Sequence, residues 1–202
     1  MLYTRSIHKR ALAALTVILY LCAAAPSASA YEFSLWPGDW FGSRNEASNI
    51  QPAIVVSFPS HVAPDQIVAS FTDRRLYYVY ARGRAISYPI ATPRPDSRWQ
   101  GVMEISDKKV DPRWTPTPEM RSENAQLPLY VPGGHPRNPL GNRALYLGSS
   151  LYRIHGTDAP WTIGQPVSRG CIRMHNRDVA DLYGRVDIGT RVTVTWDSYL
   201  YG

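Results

Sequence analysis

Apolar positions follow two regimes along this chain. Ala11 to Ala25 is almost continuously apolar, behind a positive start at Arg5, Lys9 and Arg10 and ahead of Ala28-Ser29-Ala30, a small-x-small cleavage pattern. Those parts in that order describe a secretory signal peptide over residues 1–30. The apolar run is short of the ~20 residues that a membrane span requires. The expectation is therefore cleavage, with no stable membrane insertion afterwards. From Gln66 the pattern becomes short β-branched and aromatic stretches separated by turn residues. Ile67-Val68-Ala69-Ser70 predicts a strand. Arg75–Tyr80 and Ala85–Ile90, joined by Arg82-Gly83-Arg84, predict a hairpin. Pro89 has no N–H to donate and is expected at an edge or a strand end. Val102–Ile105, Ala144–Leu147 and Leu151–His155 read as further strands, and Arg191–Trp196 alternates as a half-buried strand does. One helix stands out. Asn176 is its expected cap, Asp178 lies in its first turn, Val179, Leu182 and Tyr183 share a face, and Gly184 is its expected stop.

Two stretches break the pattern. Residues 31–64 are rich in Trp, Gly, Ser and Asn and show little periodicity before Ala53–Phe58, so they read as an N-terminal extension to which the sequence assigns no role. Residues 107–142 carry prolines at 112, 116, 118, 128, 132, 136 and 139, which forbid regular structure over much of that length. A loop this long in a compact domain is usually a lid or a binding loop, and its scattered Trp, Leu, Tyr and Val predict that it packs. The remainder, residues 65–198, reads as one mainly β domain, a sandwich or barrel with one short helix and a long Pro-rich loop.

Composition narrows the partners. Beyond Ala30 there are 19 basic and 16 acidic residues, a net charge of +3, with no run of Lys or Arg. That argues against nucleic acid and suits a polyanionic cell-wall substrate among other targets. Cys22 lies in the signal segment, so Cys171 is the one cysteine left in the exported chain and has no internal disulfide partner. Such a residue pairs between molecules, reacts, or sits buried and inert.

The surroundings of Cys171 offer a chemistry. His155 lies 16 positions upstream at a strand end, with Gly156, Pro160, Gly164 and Pro166 available to loop the chain back. An imidazole can take the thiol proton and stabilise the thiolate, and Arg169 and Arg173 add positive field on either side. Gly170 lets a carbonyl approach the backbone, where the N–H groups of Arg169, Gly170 and Cys171 could converge on an oxyanion. Nucleophile, base and oxyanion hole together specify acyl transfer through a thioester. Spacing alone leaves a silent buried cysteine open. His61, His135 and His175 are scattered and too few for a structural zinc site, so no metal or cofactor is expected. No G-x-S-x-G elbow points to a serine hydrolase.

These residues also carry a resemblance. Ile154-His-Gly-Thr157, Ser168-Arg-Gly-Cys-Ile-Arg-Met174, the run Asn176–Tyr183 and Gly189–Val194 occur in the order and at the spacing of the L,D-transpeptidases, the YkuD domain. The stretch from Arg75 to Pro95 resembles the opening hairpin of the Gram-negative branch, and Asp111–Arg121 and Asn138–Leu147 resemble its substrate-loop segments. The resemblance covers about Gln66 to Trp196. It implies a periplasmic enzyme whose nucleophile Cys171 attacks the carbonyl of the third stem residue of peptidoglycan and releases D-alanine. His155 would serve as general base and then acid, oriented by the carbonyl of Gly156, with Arg169 and Gly170 in the oxyanion hole. Ser168, Arg173 and Asn176 would contact substrate, and Arg173 could instead hold a structural salt bridge with an Asp near the helix. The acyl acceptor would be a stem-peptide amine, giving a 3-3 cross-link, a wall-attached protein, or water; the last makes an L,D-carboxypeptidase or amidase. A wall-binding module with an inactive site is the reading from another class. Two departures stand out: Arg169 replaces a His common in the family, and Pro95–Gly101 replaces a Thr-Pro-x-Gly turn.

Overall fold

Alternation of side chains across a strand accounts for most of the architecture. Ten strands form among the described residues: β1 Ile54–Ser57, β2 Gln66–Ser70, β3 Arg75–Ala81, β4 Arg84–Pro93, β5 Gly101–Val110, β6 Arg143–Leu147, β7 Arg153–His155, β8 Pro166–Ser168, β9 Ile172–Met174 and β10 Arg191–Thr195. The structure is a computed structural model and describes residues 52–200. The predicted signal peptide and residues 31–51 lie outside the described residues. Eight strands run in the order β4-β3-β2-β10-β5-β6-β7-β9, and β9 returns to β4, so the sheet closes on itself. The β2–β10 and β7–β9 pairs are parallel. β1 adds to β4 from outside, and β8 runs parallel to the far end of β4.

β3 shows why the closed sheet is stable. Leu76 and Tyr78 point into the central core with Ile67, Ile105, Leu145, Ile154 and Ile172. Tyr77 and Val79 point the other way, into a second cluster with Phe58, Val68 and Ala85. Both faces are covered, so β3 reads as a continuous apolar run. Phe58 and β1 belong to the stretch that the sequence set apart as an extension, and they form part of this outer face.

Several local expectations need correction. Pro89 lies inside the ten-residue β4, away from its ends. It falls between Ser87, the last position paired to β1, and Ile90, the first paired to β9, where the ladder has a gap for its missing N–H. β5 continues past Ile105 to Val110, with a register shift after Ile105, and most of that polar half is incompletely buried. In the Pro-rich loop a second helix, α1 (Pro118–Glu123), follows Thr117, whose Oγ1 accepts from the Met120 N–H at 3.2 Å. Trp114, Leu127, Val131 and Leu140 pack together there, so this loop carries its own small core. The predicted helix is α2, Asn176–Arg185, and it buries Val179 and Leu182. Its cap is His175 rather than Asn176, and Gly184 lies within its last turn. No helix among the described residues is long and apolar enough to cross a membrane.

Candidate active site

β7 and β9 lie side by side in parallel, Ile154 opposite Ile172 and His155 opposite Arg173. Alternate residues share a face. Ile154 and Ile172 therefore enter the core, while Arg153, His155, Cys171 and Arg173 turn to the other side. These four border one cleft of about 530 Å³, and Trp114, Met120 and Leu140 of the Pro-rich loop form part of its wall. Strand pairing thus brings together two segments 16 positions apart.

His155 is only 4% exposed, and its Nδ1 lies 2.6 Å from the Gly156 carbonyl oxygen. A carbonyl can only accept, so Nδ1 carries the proton and Nε2 presents its lone pair. Burial, reinforced by the Arg173 and Arg153 charges, pulls the imidazole down to about 3 against the pull of the Gly156 carbonyl. Cys171 is half-buried, with Sγ 3.7 Å from the Leu151 carbonyl oxygen. Burial pushes this thiol up, and Arg153 and then Arg173 oppose that push. Burial thus favours the neutral forms of both thiol and imidazole; the positive field of the neighbouring arginines opposes it at the thiol and reinforces it at the imidazole.

The arginines explain this outcome. Arg169 directs its charge to α1, with Nη1 2.8 Å from Glu123 Oε1 and 3.5 Å from Glu119 Oε1, and with Nη2 paired to Glu123 Oε2. It ties the cysteine loop to the Pro-rich loop. The field at the thiol comes first from Arg153, a residue the sequence reading passed over. Its signal was available, since Arg153 precedes His155 by two positions in a strand and must share its face. Arg173 is buried, with Nη1 3.3 Å from Thr162 Oγ1 and the charge of Asp158 acting on it. Burial lowers its guanidinium to about 10, so it remains cationic at neutral pH.

The remaining predicted residues fall into two groups. Ser168 borders the cleft, and its hydroxyl donates to the Cys171 carbonyl, bracing the turn before β9. Asn176 sits behind the cleft, next to a separate depression beside Asp158 and His175. Its Oδ1 accepts from the N–H groups of Thr157 at 3.0 Å and Asn142 at 3.3 Å, and its Nδ2 donates to the Thr157 carbonyl at 2.9 Å. A Cβ on Gly156 would come within 2.1 Å of that Oδ1. Asn176 thus clamps the segment whose Gly156 carbonyl holds His155, and this work draws it away from capping α2.

Gly170 adopts φ +114°, and a Cβ there would lie 2.3 Å from Tyr152 Cε1. Only glycine tolerates both conditions. The Gly170 carbonyl accepts from Trp99 Nε1 at 2.8 Å, and the Trp99 ring stacks on Tyr152 with centroids 4.6 Å apart and planes 5° apart. Trp99 belongs to the Pro95–Gly101 stretch that departs from the family pattern. No local periodicity announces its contact, which spans 71 positions.

Comparison with known proteins agrees with this geometry. Residues 64–194 match the YkuD model, described as the L,D-transpeptidase catalytic domain. The chain is 41% identical over 140 residues to the probable L,D-transpeptidase ErfK/SrfK of Escherichia coli K12, covering 63% of this chain and 43% of that protein. It is 37% identical over 154 residues to a putative L,D-transpeptidase of Fuscovulum blasticum, covering 75% and 80%. A solved structure from Brucella melitensis, titled a probable carnitine operon oxidoreductase, is 40% identical with a TM-score of 0.50, covering 76% of this chain and all of that one. The chain spans under half the length of the E. coli relative. On the family match across most of its described length, the chain belongs to the YkuD family of L,D-transpeptidase catalytic domains.

Proposed function

We propose that the protein is an exported, periplasmic peptidoglycan L,D-transpeptidase working through a Cys171 thioester. The observation that carries this reading is the 2.6 Å contact between His155 Nδ1 and the Gly156 carbonyl, in a cleft that Cys171 shares. It leaves Nε2 as the base. Because burial favours the neutral thiol and imidazole, proton transfer accompanies attack in this reading. Cys171 Sγ bonds to the carbonyl carbon of the third stem residue while Nε2 takes the thiol proton. The backbone N–H groups of Arg169, Gly170 and Cys171 receive the developing oxyanion. The C–N bond to D-alanine then breaks, and the imidazolium gives its proton to the leaving amine. An acceptor amine then attacks the thioester carbonyl and gives a proton to His155 Nε2, and the C–S bond breaks as the imidazolium returns that proton to Sγ. With Arg169 paired to Glu119 and Glu123, the cleft still carries Arg113, Arg153 and Arg173, which favours a carboxylate-rich peptide. The oxidoreductase name belongs to the Brucella melitensis chain, whereas the groups converging in this cleft are a thiol and an imidazole.

The test is incubation of the mature protein with purified tetrapeptide muropeptides, followed by mass spectrometry. Wild type is expected to release D-alanine, and Cys171→Ala and His155→Ala are not. Cross-linked dimers identify transfer to an amine, and monomeric tripeptides identify hydrolysis. Unchanged turnover in Cys171→Ala would refute the mechanism.

A further inference from the structure

We infer that Trp99 is a positioning residue for the oxyanion hole: by holding the Gly170 carbonyl, its indole N–H aims the Cys171 N–H at the reacting oxygen. The inference rests on the acyl-transfer reading above. The peptide between Gly170 and Cys171 is trans and planar, so its C=O and N–H point in opposite directions. Whatever fixes the oxygen fixes the hydrogen. Trp99 Nε1 donates to that oxygen at 2.8 Å. Cys171 borders the cleft and Trp99 does not. A carbonyl drawn outward to Trp99 therefore turns its N–H inward. Among the described residues no acceptor takes the Cys171 N–H, so it remains available to a substrate.

The hold is needed because Gly170 is the freest residue of the turn. Its φ of +114° lies in a region where glycine moves at little cost, and the peptide on its C-terminal side could rotate. Tyr152 presses on Gly170 from one side and stacks flat against Trp99 on the other. Trp99 is held in turn edge-on to Phe71, with centroids 6.4 Å apart. The indole N–H is thus presented by a rigid aromatic stack that reaches the core. Preorganised donors help because they need no reorganisation as charge develops. A loosened Gly170 would restore that cost at each turnover, even with the thiol and His155 intact.

Two reactions of the same thiol separate this role from a structural one. Acylation by 4-nitrophenyl acetate passes through a tetrahedral oxyanion. Alkylation by iodoacetamide displaces iodide at an sp³ carbon and forms none. In Trp99→Phe, and in a protein carrying 3-benzothienylalanine at position 99, which keeps the two-ring stack and lacks the N–H, Cys171 acylation is expected to fall about tenfold or more, within the range for losing an oxyanion donor. Alkylation should stay within about twofold of wild type, with the circular-dichroism spectrum preserved. Acylation at the wild-type rate in the benzothienyl protein overturns the inference. So does a parallel loss of acylation and alkylation, which would place the effect on the thiol or the fold. Cys171→Ala supplies the background rate for both reagents. A wild type that is acylated by the ester yet leaves muropeptides intact would sink the substrate assignment while leaving the Trp99 comparison readable.

Discussion

Asn176→Ala removes the clamp behind His155, and its cost can be worked from the contacts. Three hydrogen bonds are lost: two to Thr157, both partly buried, and one to Asn142, which is exposed. A neutral hydrogen bond contributes about 1 kcal/mol net, and a stranded buried group costs more. Water reaches the exposed Asn176 and replaces part of this, which brings the expected loss to about 2 kcal/mol. For a domain of this size that lowers the melting temperature by about 4–8 °C. Activity should suffer separately. With Thr157 released, the Gly156 carbonyl no longer fixes the imidazole, and misplacement of a catalytic group costs on the order of tenfold to a hundredfold. Asn176→Asp keeps an oxygen for the two N–H groups but sets a carboxylate against the Thr157 carbonyl, so it should fall between Ala and wild type. Thermal melts followed by circular dichroism, together with 4-nitrophenyl acetate acylation rates, test both effects. If Asn176→Ala melts within about 1 °C of wild type and acylates at the same rate, the clamp argument fails.

Other predictions follow from the electrostatics and backbone of the site. The rate of Cys171 alkylation by iodoacetamide should rise with pH to a midpoint above the ordinary thiol value of about 8.5; a midpoint below neutrality would contradict the neutral resting pair. Unfolded His155 binds a proton near pH 6.5, whereas the folded imidazole refuses it until about 3. The unfolded state therefore holds more protons in that window, and stability falls as pH drops through it. Chemical denaturation at pH 7 and pH 4 should show a smaller loss in His155→Gln than in wild type, and an equal or larger loss would refute the assignment. Gly170→Ala places a methyl against the Tyr152 ring at a positive φ, and should cost about 2 kcal/mol or more in urea denaturation; wild-type stability would show that the turn relaxes freely.

How far the sequence reached depended on whether each signal was local. The β3–β4 hairpin and β10 were legible because period-2 patterning and the Arg82-Gly83 turn are short-range features. The approach of the His155 and Cys171 segments to one cleft was legible through residue types and family resemblance. α1 was missed even though Thr117-Pro118-Glu119 is a helix-start pattern, because the surrounding prolines masked it. Pro89 was misplaced because no sequence pattern shows that β4 exchanges one neighbour for another partway along. Arg169, Asn176 and Trp99 were beyond local reading. Their partners lie 46, 19 and 71 positions away, and only the closed sheet brings them together.

The place of β10 has a consequence for biogenesis. This strand sits between β2 and β5, so the ring stays open until β10 itself has been made. Contacts that link the start of a domain to its end form late and slowly. The ring therefore stays pliable until β10 arrives, and it locks only when that strand slots between its two neighbours.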